Sequence, residues 1–141
     1  MSGKKILIDT SIWINYFRNK TPGLSQQVED IISRNDIYVP KIVIAELLQG
    51  SKSEVEVEAL KDFADAFHII DQKEDTWVRA GELSYRLKKK GKGVNLANCY
   101  IGIITQQHNC RILTLDDHFK EIGKAIGIEL VEVETSIAHR E

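Results

Sequence analysis

Three acidic side chains and one amide stand where the sequence can build metal-ion chemistry. Asp9 ends an apolar run near the N-terminus, Glu46 interrupts an apolar helical stretch, Asp116 follows another apolar run, and Asn98 lies near the start of a predicted helix. Carboxylates gathered in one place repel each other unless a cation or a shared proton offsets the repulsion. Oxygen-only ligands favour Mg²⁺ or Mn²⁺, and such an ion activates water for attack on a phosphodiester.

Each of these signals also has a purely structural explanation. Asp9, with Thr10 and Ser11 after it, is equally suited to cap a helix N-terminus. Asp116 is placed in the same way before a later helix. Glu46 has apolar neighbours on both sides, so its charge needs a partner. Only the convergence of these residues on one edge of a fold favours a functional site.

Alternating strand and helix patterns predict that fold. We expect a single domain over 1–141 of the α/β class, three layers (α/β/α) around a central parallel sheet of about five strands. Ligands bind such sheets beyond the carboxyl ends of the strands, where the strand order reverses. The predicted strands cover 4–9, 36–40, 67–71, 110–115 and 128–133. The predicted helices follow Asp9 and then cover 24–34, 41–50, 54–67, 73–90, 95–108 and 116–127, and a ragged end is expected over 134–141. In the helix over 73–90, the expected buried face consists of Trp77, Ala80, Leu83 and Leu87.

Composition narrows the functional classes. The chain is 43% hydrophobic and 28% charged, as is typical of globular proteins, and its net charge of −2 does not by itself indicate a nucleic-acid-binding protein. The stretch "RLKKKGKG" nevertheless concentrates positive charge, as a solvated helix end or as an edge that contacts phosphates. The lysines concerned are Lys88, Lys89, Lys90 and Lys92.

The same composition indicates a cytoplasmic location. No apolar run approaches the ~20 residues that span a bilayer, so no membrane association is expected. The N-terminus enters a strand pattern at once, without a secretory leader. Cys99 and Cys110 match no zinc or redox spacing and are expected to be buried thiols in a reducing compartment.

Three motifs together resemble the PIN domains of small VapC-type toxins. They are "LIDTSIWINYF" (7–17), "IVIAELLQG" (42–50) and "NLANCYIGIITQQHNCRILTLDDHF" (95–119), and the resemblance extends over nearly the whole chain. It implies a Mg²⁺-dependent endoribonuclease, in which Mn²⁺ can substitute, that leaves a 5′-phosphate on its RNA substrate. It also implies a homodimer that is held inactive by a VapB-like antitoxin.

The resemblance assigns the site residue by residue. The family's four acid positions correspond here to Asp9, Glu46, Asn98 and Asp116, all of them expected catalytic residues and metal ligands. Glu46 is either a further ligand or a base that acts through water. The supporting hydroxyls are Thr10 or Ser11 after the first acid and Thr114 before the last.

Aromatic residues of the first helix are the expected contact with the antitoxin. Trp13, Tyr16 and Phe17 have helical spacing and are numerous for one small helix face. They pack in the core, or some of them remain exposed for a partner. In the toxin interpretation, that partner is the C-terminal segment of the antitoxin.

Asn98 departs from the pattern that it otherwise matches. The family motif D-C-x-I-A is here "NCYIG", with a neutral amide in place of the acid. The change is either an inactivating substitution or the natural state of a weakened or repurposed member. The alternative function is therefore a catalytically degenerate PIN fold that binds RNA or protein. A receiver-like or phosphatase-like domain is disfavoured, because the stretch after Asp9 lacks the second aspartate that such phosphatases use.

Overall fold

The structure, a computed structural model, describes residues 3–134. Within them the chain forms four strands and seven α-helices, and α1 continues as a π-helical turn (Asn15–Asn19). The strands are β1 (Lys5–Ile8), β2 (Asp36–Pro40), β3 (His68–Ile70) and β4 (Arg111–Leu113). The helices are α1 (Thr10–Ile14), α2 (Leu24–Arg34), α3 (Lys41–Gln49), α4 (Glu54–Ala64), α5 (Thr76–Lys89), α6 (Leu96–Gln107) and α7 (His118–Ile126).

The four strands form one parallel sheet in the order β3–β2–β1–β4. Leu7 of the central strand β1 pairs with Tyr38 of β2 on one side and with Ile112 of β4 on the other. The chain builds β2 and β3 outward from β1, then returns to add β4 on the opposite side. The strand order therefore reverses between β1 and β4, where ligands of parallel sheets bind. The predicted α/β class with a central parallel sheet is confirmed.

The predicted fifth strand over 128–133 is wrong. Its segment makes a single parallel bridge, between Leu130 and Ile112. Two hydrogen bonds hold the bridge, from Ile112 N to Glu129 O at 2.9 Å and from Val131 N to Ile112 O at 2.8 Å. β4 is only three residues long and therefore offers little backbone for a longer ladder. The expected ragged end lies almost wholly outside the described residues.

The prediction that Trp77 faces the core is also wrong. Its side chain is 45% exposed, whereas Ala80, Leu83 and Leu87 of the same helix are buried as expected. One face of the indole stacks on Tyr100, with 4.0 Å between the ring centroids. The indole N–H donates to a glutamine side chain in the preceding loop. An indole with a polar partner at the surface commonly keeps one side exposed.

An aromatic cluster joins the first helical segment to α4 and the turn after it. We use the name for Trp13, Phe17, Phe63 and Phe67. The Trp13 ring lies 5.0 Å from Phe63, 5.5 Å from Phe67 and 5.8 Å from Phe17, between ring centroids. Trp13 is 1% exposed. The helix predicted over 54–67 is present over Glu54–Ala64, where its apolar spacing serves this contact, and Phe67 lies in the turn after it.

Two further predictions are confirmed to the residue, the helix over 24–34 and the strand over 36–40. Asn35 ends that helix in extended backbone, and Pro40 ends the strand where α3 begins. Among the helices of the described residues, none has the length and apolar character needed to cross a membrane.

Candidate active site

Asp9 lies directly after β1 and caps the first turn of α1. Its backbone N–H donates to Leu113 O of β4 at 3.1 Å, which aligns the ends of the two strands. Its Oδ1 atom accepts hydrogen bonds from Ser11 N at 3.0 Å and from Ser11 Oγ at 2.6 Å. The residue is buried, with 4% exposure. The capping role expected of Asp9 is therefore present, and it occupies only one of the two carboxylate oxygens.

Two hydroxyl groups connect Asp9 to the loop after β4. Thr114 Oγ1 donates to Asp9 Oδ2 at 2.7 Å and accepts from Asp116 N at 2.9 Å. Ser11 Oγ donates to Asp9 Oδ1 and accepts from Leu115 N at 2.9 Å. Each hydroxyl thus donates a hydrogen bond to Asp9 and accepts one from a backbone N–H group in the loop that carries Asp116. This arrangement positions one aspartate relative to the other through hydroxyl groups.

Asp116 is held by donors from two helices. Asn98 Nδ2, in the first turn of α6, donates to Asp116 Oδ2 at 2.9 Å. Asp116 Oδ1 accepts from His118 N and lies 2.9 Å from His118 Nδ1. Asn98 is positioned in turn by Asn95, the N-cap of α6, whose Oδ1 accepts from Asn98 N at 2.8 Å. These contacts bring two of the predicted site residues, Asn98 and Asp116, together.

His118 is a site residue that the sequence analysis does not identify. Both its backbone and its ring contact Asp116, although its side chain is largely exposed. The available signal is its spacing, two residues after an aspartate where a helix begins, because an aspartate there commonly bonds to the following N–H groups.

Glu46 meets the rest of the site through Thr10. Thr10 Oγ1 donates to Glu46 Oε1 at 2.6 Å. Thr10 is the first residue of α1, next to Asp9, and Glu46 lies half-buried in α3. Thr10 is thus the polar partner that the charge of Glu46, placed among apolar neighbours, was expected to need. It also links Glu46 to the residue that follows Asp9.

Burial and hydrogen bonding shift the pKa values of the two aspartates in opposite directions. Desolvation raises the pKa of Asp9, although hydrogen bonds from Ser11 and Thr114 offset part of the effect. Desolvation also acts on Asp116, but hydrogen bonds from His118 N and Asn98 outweigh it, so that the pKa of Asp116 is lowered. None of the ion pairs within 3–134 involves Asp9. Its buried carboxylate therefore has no cationic side chain beside it there.

The remaining acceptor capacity of the two aspartates suits a hard cation. A carboxylate oxygen accepts about two hydrogen bonds. The Oδ1 atoms of Asp9 and Asp116 each receive two, and the Oδ2 atoms each receive one. Oxygen donors and a buried carboxylate without a cationic partner fit Mg²⁺ or Mn²⁺.

The expected grouping of three acids around one ion is not present in this arrangement. In the part of the chain that the structure describes, no three histidine, cysteine, aspartate or glutamate side chains are placed to hold one metal ion together. Glu46 bonds to Thr10, and the fourth position, Asn98, is an amide. Hydrogen bonds instead connect Asp9 through Thr114 to Asp116 N, and Asp116 to Asn98, whereas Glu46 is joined to Asp9 only through its chain neighbour Thr10.

Comparison with known proteins places this geometry in a family. The family model of the PIN domain matches residues 6–125. The chain belongs to the PIN domain family. The curated protein Ribonuclease VapC1 of Methanocaldococcus jannaschii is 26% identical over 128 residues, which cover 91% of this chain and 88% of that protein.

Solved structures share the fold of this PIN domain. VapBC2 from Rickettsia felis, bound to a DNA fragment from its promoter, matches with a TM-score of 0.75 and 23% identity over 92% of this chain and 99% of that one. VapBC-1 from nontypeable Haemophilus influenzae matches with a TM-score of 0.72 and 19% identity over 91% and 97%. The resemblance to VapC-type PIN domains is confirmed by these matches.

The lysine cluster of this PIN domain lies where α5 ends and the loop to α6 begins. Lys88 and Lys89 occupy the last turn of α5, Lys90 is its C-cap, and all the lysines of the cluster are exposed. Lys92 makes an ion pair with Glu121 of α7 at 3.3 Å. The loop leads within a few residues into the helix turn that carries Asn98. Contact with RNA remains a prediction for this cluster.

The three aromatic residues predicted to contact an antitoxin differ in exposure. Trp13 is buried in the aromatic cluster, so it is not available at the surface of this PIN domain. Tyr16 and Phe17 are half-buried, and Tyr16 Oη donates to Glu29 at 3.3 Å. Trp13 and Phe17 nevertheless line a narrow apolar pocket between the first helical segment, α3 and α4. Its other residues are Val39, Ile44, Leu47, Leu60, Phe63, Ala64 and Phe67.

Proposed function

We propose that this PIN domain is a metal-dependent endoribonuclease, the toxin of a toxin–antitoxin pair. The observation that carries the proposal is the arrangement of Asp9 and Asp116. The Asp9 carboxylate is buried and has no cationic partner within 3–134. Two hydroxyls join it to the backbone N–H groups of Leu115 and Asp116, which places a second carboxylate at the switch point of a PIN fold. The relative VapC1, which this chain matches over most of its length, is a ribonuclease.

The residues of the site have distinct roles in this proposal. Asp9 and Asp116 would hold Mg²⁺, or Mn²⁺ in its place, and Asn98 and Glu46 would supply further oxygen ligands. When bound, the ion activates a water molecule and stabilises charge on the leaving oxygen of the phosphodiester. Glu46 is either that further ligand or a base that acts through water. Thr10 fixes its carboxylate by the 2.6 Å hydrogen bond.

Positive charge near the site serves the RNA. Lys88, Lys89 and Lys90 are exposed at the end of α5 and attract the phosphate backbone, with Lys92 shared between the RNA and Glu121. Hydrolysis leaves a 5′-phosphate, as the resemblance to the family implies. Because the substrate is cellular RNA, the domain acts in the cytoplasm.

The partner in this proposal is a VapB-like antitoxin. The Rickettsia felis and Haemophilus influenzae structures that share this fold are of VapBC pairs. In this chain, Tyr16 and Phe17 present half-buried rings beside the apolar pocket, a surface on which an apolar antitoxin segment gains contact area. Homodimerisation is proposed from the family resemblance.

A catalytically degenerate PIN module that binds RNA or protein is the second candidate. The hydrogen bond from Asn98 to Asp116 favours it, because that contact satisfies Asp116 without an ion. Titration of the chain with Mn²⁺ discriminates the two candidates, since a degenerate module need not bind the ion.

The direct experiment compares RNA cleavage by the native chain and by Asn98→Asp. Each protein is incubated with total RNA and with structured RNA in Mg²⁺, in Mn²⁺ and in EDTA. The matched control is the double variant Asn98→Asp, Asp9→Asn, which keeps the restored acid and removes the charge of the buried one. Folding of every variant is checked by circular dichroism.

We expect Asn98→Asp to cleave RNA in Mg²⁺ or Mn²⁺ and not in EDTA. The native chain is expected to cleave RNA several powers of ten more slowly. Each factor of ten in rate corresponds to about 1.4 kcal/mol of transition-state stabilisation. A folded Asn98→Asp protein that cleaves neither RNA contradicts the nuclease proposal. So does cleavage that is equally fast in the double variant, because it would then not depend on Asp9.

A further inference from the structure

The amide of Asn98 has a defined orientation toward Asp116. An ionised carboxylate only accepts hydrogen bonds, so the Asn98 group 2.9 Å from Asp116 Oδ2 must be the nitrogen and not the oxygen. Asn98 therefore turns the positive end of its amide dipole to the acid and its oxygen away from it.

A carboxylate at position 98 would create the opposite situation. Its nearest oxygen would stand about 3 Å from Asp116 Oδ2 if the backbone stays in place. Two negative charges at that distance are costly unless a cation or a shared proton lies between them. An acid at this position thus requires a cation, and the amide of this chain removes the requirement.

The contact also involves the oxygen that is best placed to bind an ion. Asp116 Oδ1 is filled by His118 N and Nδ1, which leaves Oδ2 as the oxygen with spare acceptor capacity. Asn98 donates to that same oxygen. A cation at this oxygen would therefore lie close to the positively polarised N–H group of Asn98, and the two repel each other.

We propose that Asn98 acts as a cation substitute that stabilises the metal-free site and raises the metal concentration at which the site binds an ion. A cation that binds Asp116 Oδ2 meets the positive end of the Asn98 amide, which must turn before its oxygen can serve as a ligand. The inference rests on the proposed function for the assignment of Asp9 and Asp116 as cation-binding groups. Its consequence is a domain that is stable without metal and activated only at elevated metal concentration.

Thermal unfolding tests this inference without any measurement of cleavage. The melting temperatures of the native chain and of Asn98→Asp are compared in EDTA and across a series of Mn²⁺ concentrations. Asn95→Asp is a matched control, because it adds the same charge three residues earlier, at the N-cap of α6. A second control, Asn98→Asp with Asp116→Asn, restores one acid and one amide with their positions exchanged.

In EDTA we expect Asn98→Asp to melt roughly 2–8 °C below the native chain, the range that the loss of about one polar contact produces in a domain. Mn²⁺ should raise its melting temperature at concentrations that leave the native chain unchanged. Asn95→Asp should melt no lower than the native chain, since aspartate is a good N-cap near a helix N-terminus. The exchanged pair should recover the native melting temperature in EDTA and lose the Mn²⁺ response.

Two results would overturn the inference. One is an Asn98→Asp protein that is as stable as the native chain in EDTA, and the other is an exchanged pair that remains as unstable as the single variant. The outcome is separable from that of the nuclease proposal. If Asn98→Asp needs Mn²⁺ for stability but cleaves no RNA, the role of Asn98 as a cation substitute is supported and the nuclease proposal is contradicted. RNA cleavage with unchanged metal-free stability does the reverse.

Discussion

One helical segment carries two regions with opposite physical character. At its start, Asp9 and Ser11 belong to a polar site that is held by short hydrogen bonds. One turn later, Trp13 and Phe17 belong to the aromatic cluster, which is held by ring contacts. The stabilisation from apolar burial depends mainly on the area removed from water and not on direction. The site depends on the direction of every donor. One helical segment thus contributes to a packed aromatic core and carries a buried charge.

Stability and function are divided between the aromatic cluster and the polar site around Asp9. The aromatic cluster buries large rings and stabilises the fold. Burial of the Asp9 charge opposes folding, as the raised pKa of Asp9 shows. Removing a cluster ring should therefore destabilise the protein strongly, whereas removing the charge of Asp9 should stabilise it.

Replacement of Trp13 by alanine is expected to have the largest effect. The side chain is 1% exposed and contacts four other aromatic rings, so the substitution leaves a large cavity. We expect a loss of about 3–5 kcal/mol in the free energy of unfolding, measured by urea denaturation. Trp77→Ala is the control, because that indole is 45% exposed and its loss should cost clearly less. Equal losses would contradict the division between a core ring and a surface ring.

Replacement of Thr114 by valine is expected to have the next largest effect on the free energy of unfolding. Valine keeps the shape of threonine but removes the hydroxyl that donates to Asp9 and accepts from Asp116 N. Groups left without partners in this way typically cost about 1–3 kcal/mol. Urea denaturation should show that loss for Thr114→Val and a much smaller one for Thr114→Ser. If serine is as damaging as valine, the methyl group matters and not the hydroxyl.

Replacement of Asp9 by asparagine is expected to raise stability in EDTA at neutral pH. Because burial raises the folded-state pKa of Asp9 above its unfolded value, the ionised form disfavours folding. The cost is fully present above the folded-state pKa and disappears as the pH falls through that pKa toward the ordinary value of about 4. Denaturation at several pH values should therefore show a stability gain for Asp9→Asn that shrinks in acid. A gain that grows in acid would contradict the direction of the shift.

The regular elements that the sequence predicts correctly are those with local signals. The helix over 24–34 has a clear apolar stripe, and Pro40 marks the end of the strand over 36–40. Trp77 and the segment over 128–133 carry patterns that fit a buried face and a strand. Their outcomes depend on Tyr100 and on the shortness of β4, which are tertiary facts.

In the candidate site, too, the contacts that depend on tertiary packing could not be predicted from the sequence. The convergence of Asp9 and Asp116 on one edge follows from parallel strand order, and the structure joins them through Thr114. The pairing of Glu46 with Thr10 depends on how α3 packs against α1, which residue spacing does not determine. His118 is likewise absent from the prediction, because its role depends on the conformation of one loop.

Diffraction from crystals of Asn98→Asp grown with Mn²⁺ tests the central claim most directly, because the anomalous signal of manganese locates the ion. We predict one peak within about 2.5 Å of carboxylate oxygens of both Asp9 and Asp116, near the distances typical of hard cations. A peak on other residues, or none at these two at saturating Mn²⁺, would contradict the claim that the end of β1 and the end of β4 form a metal site.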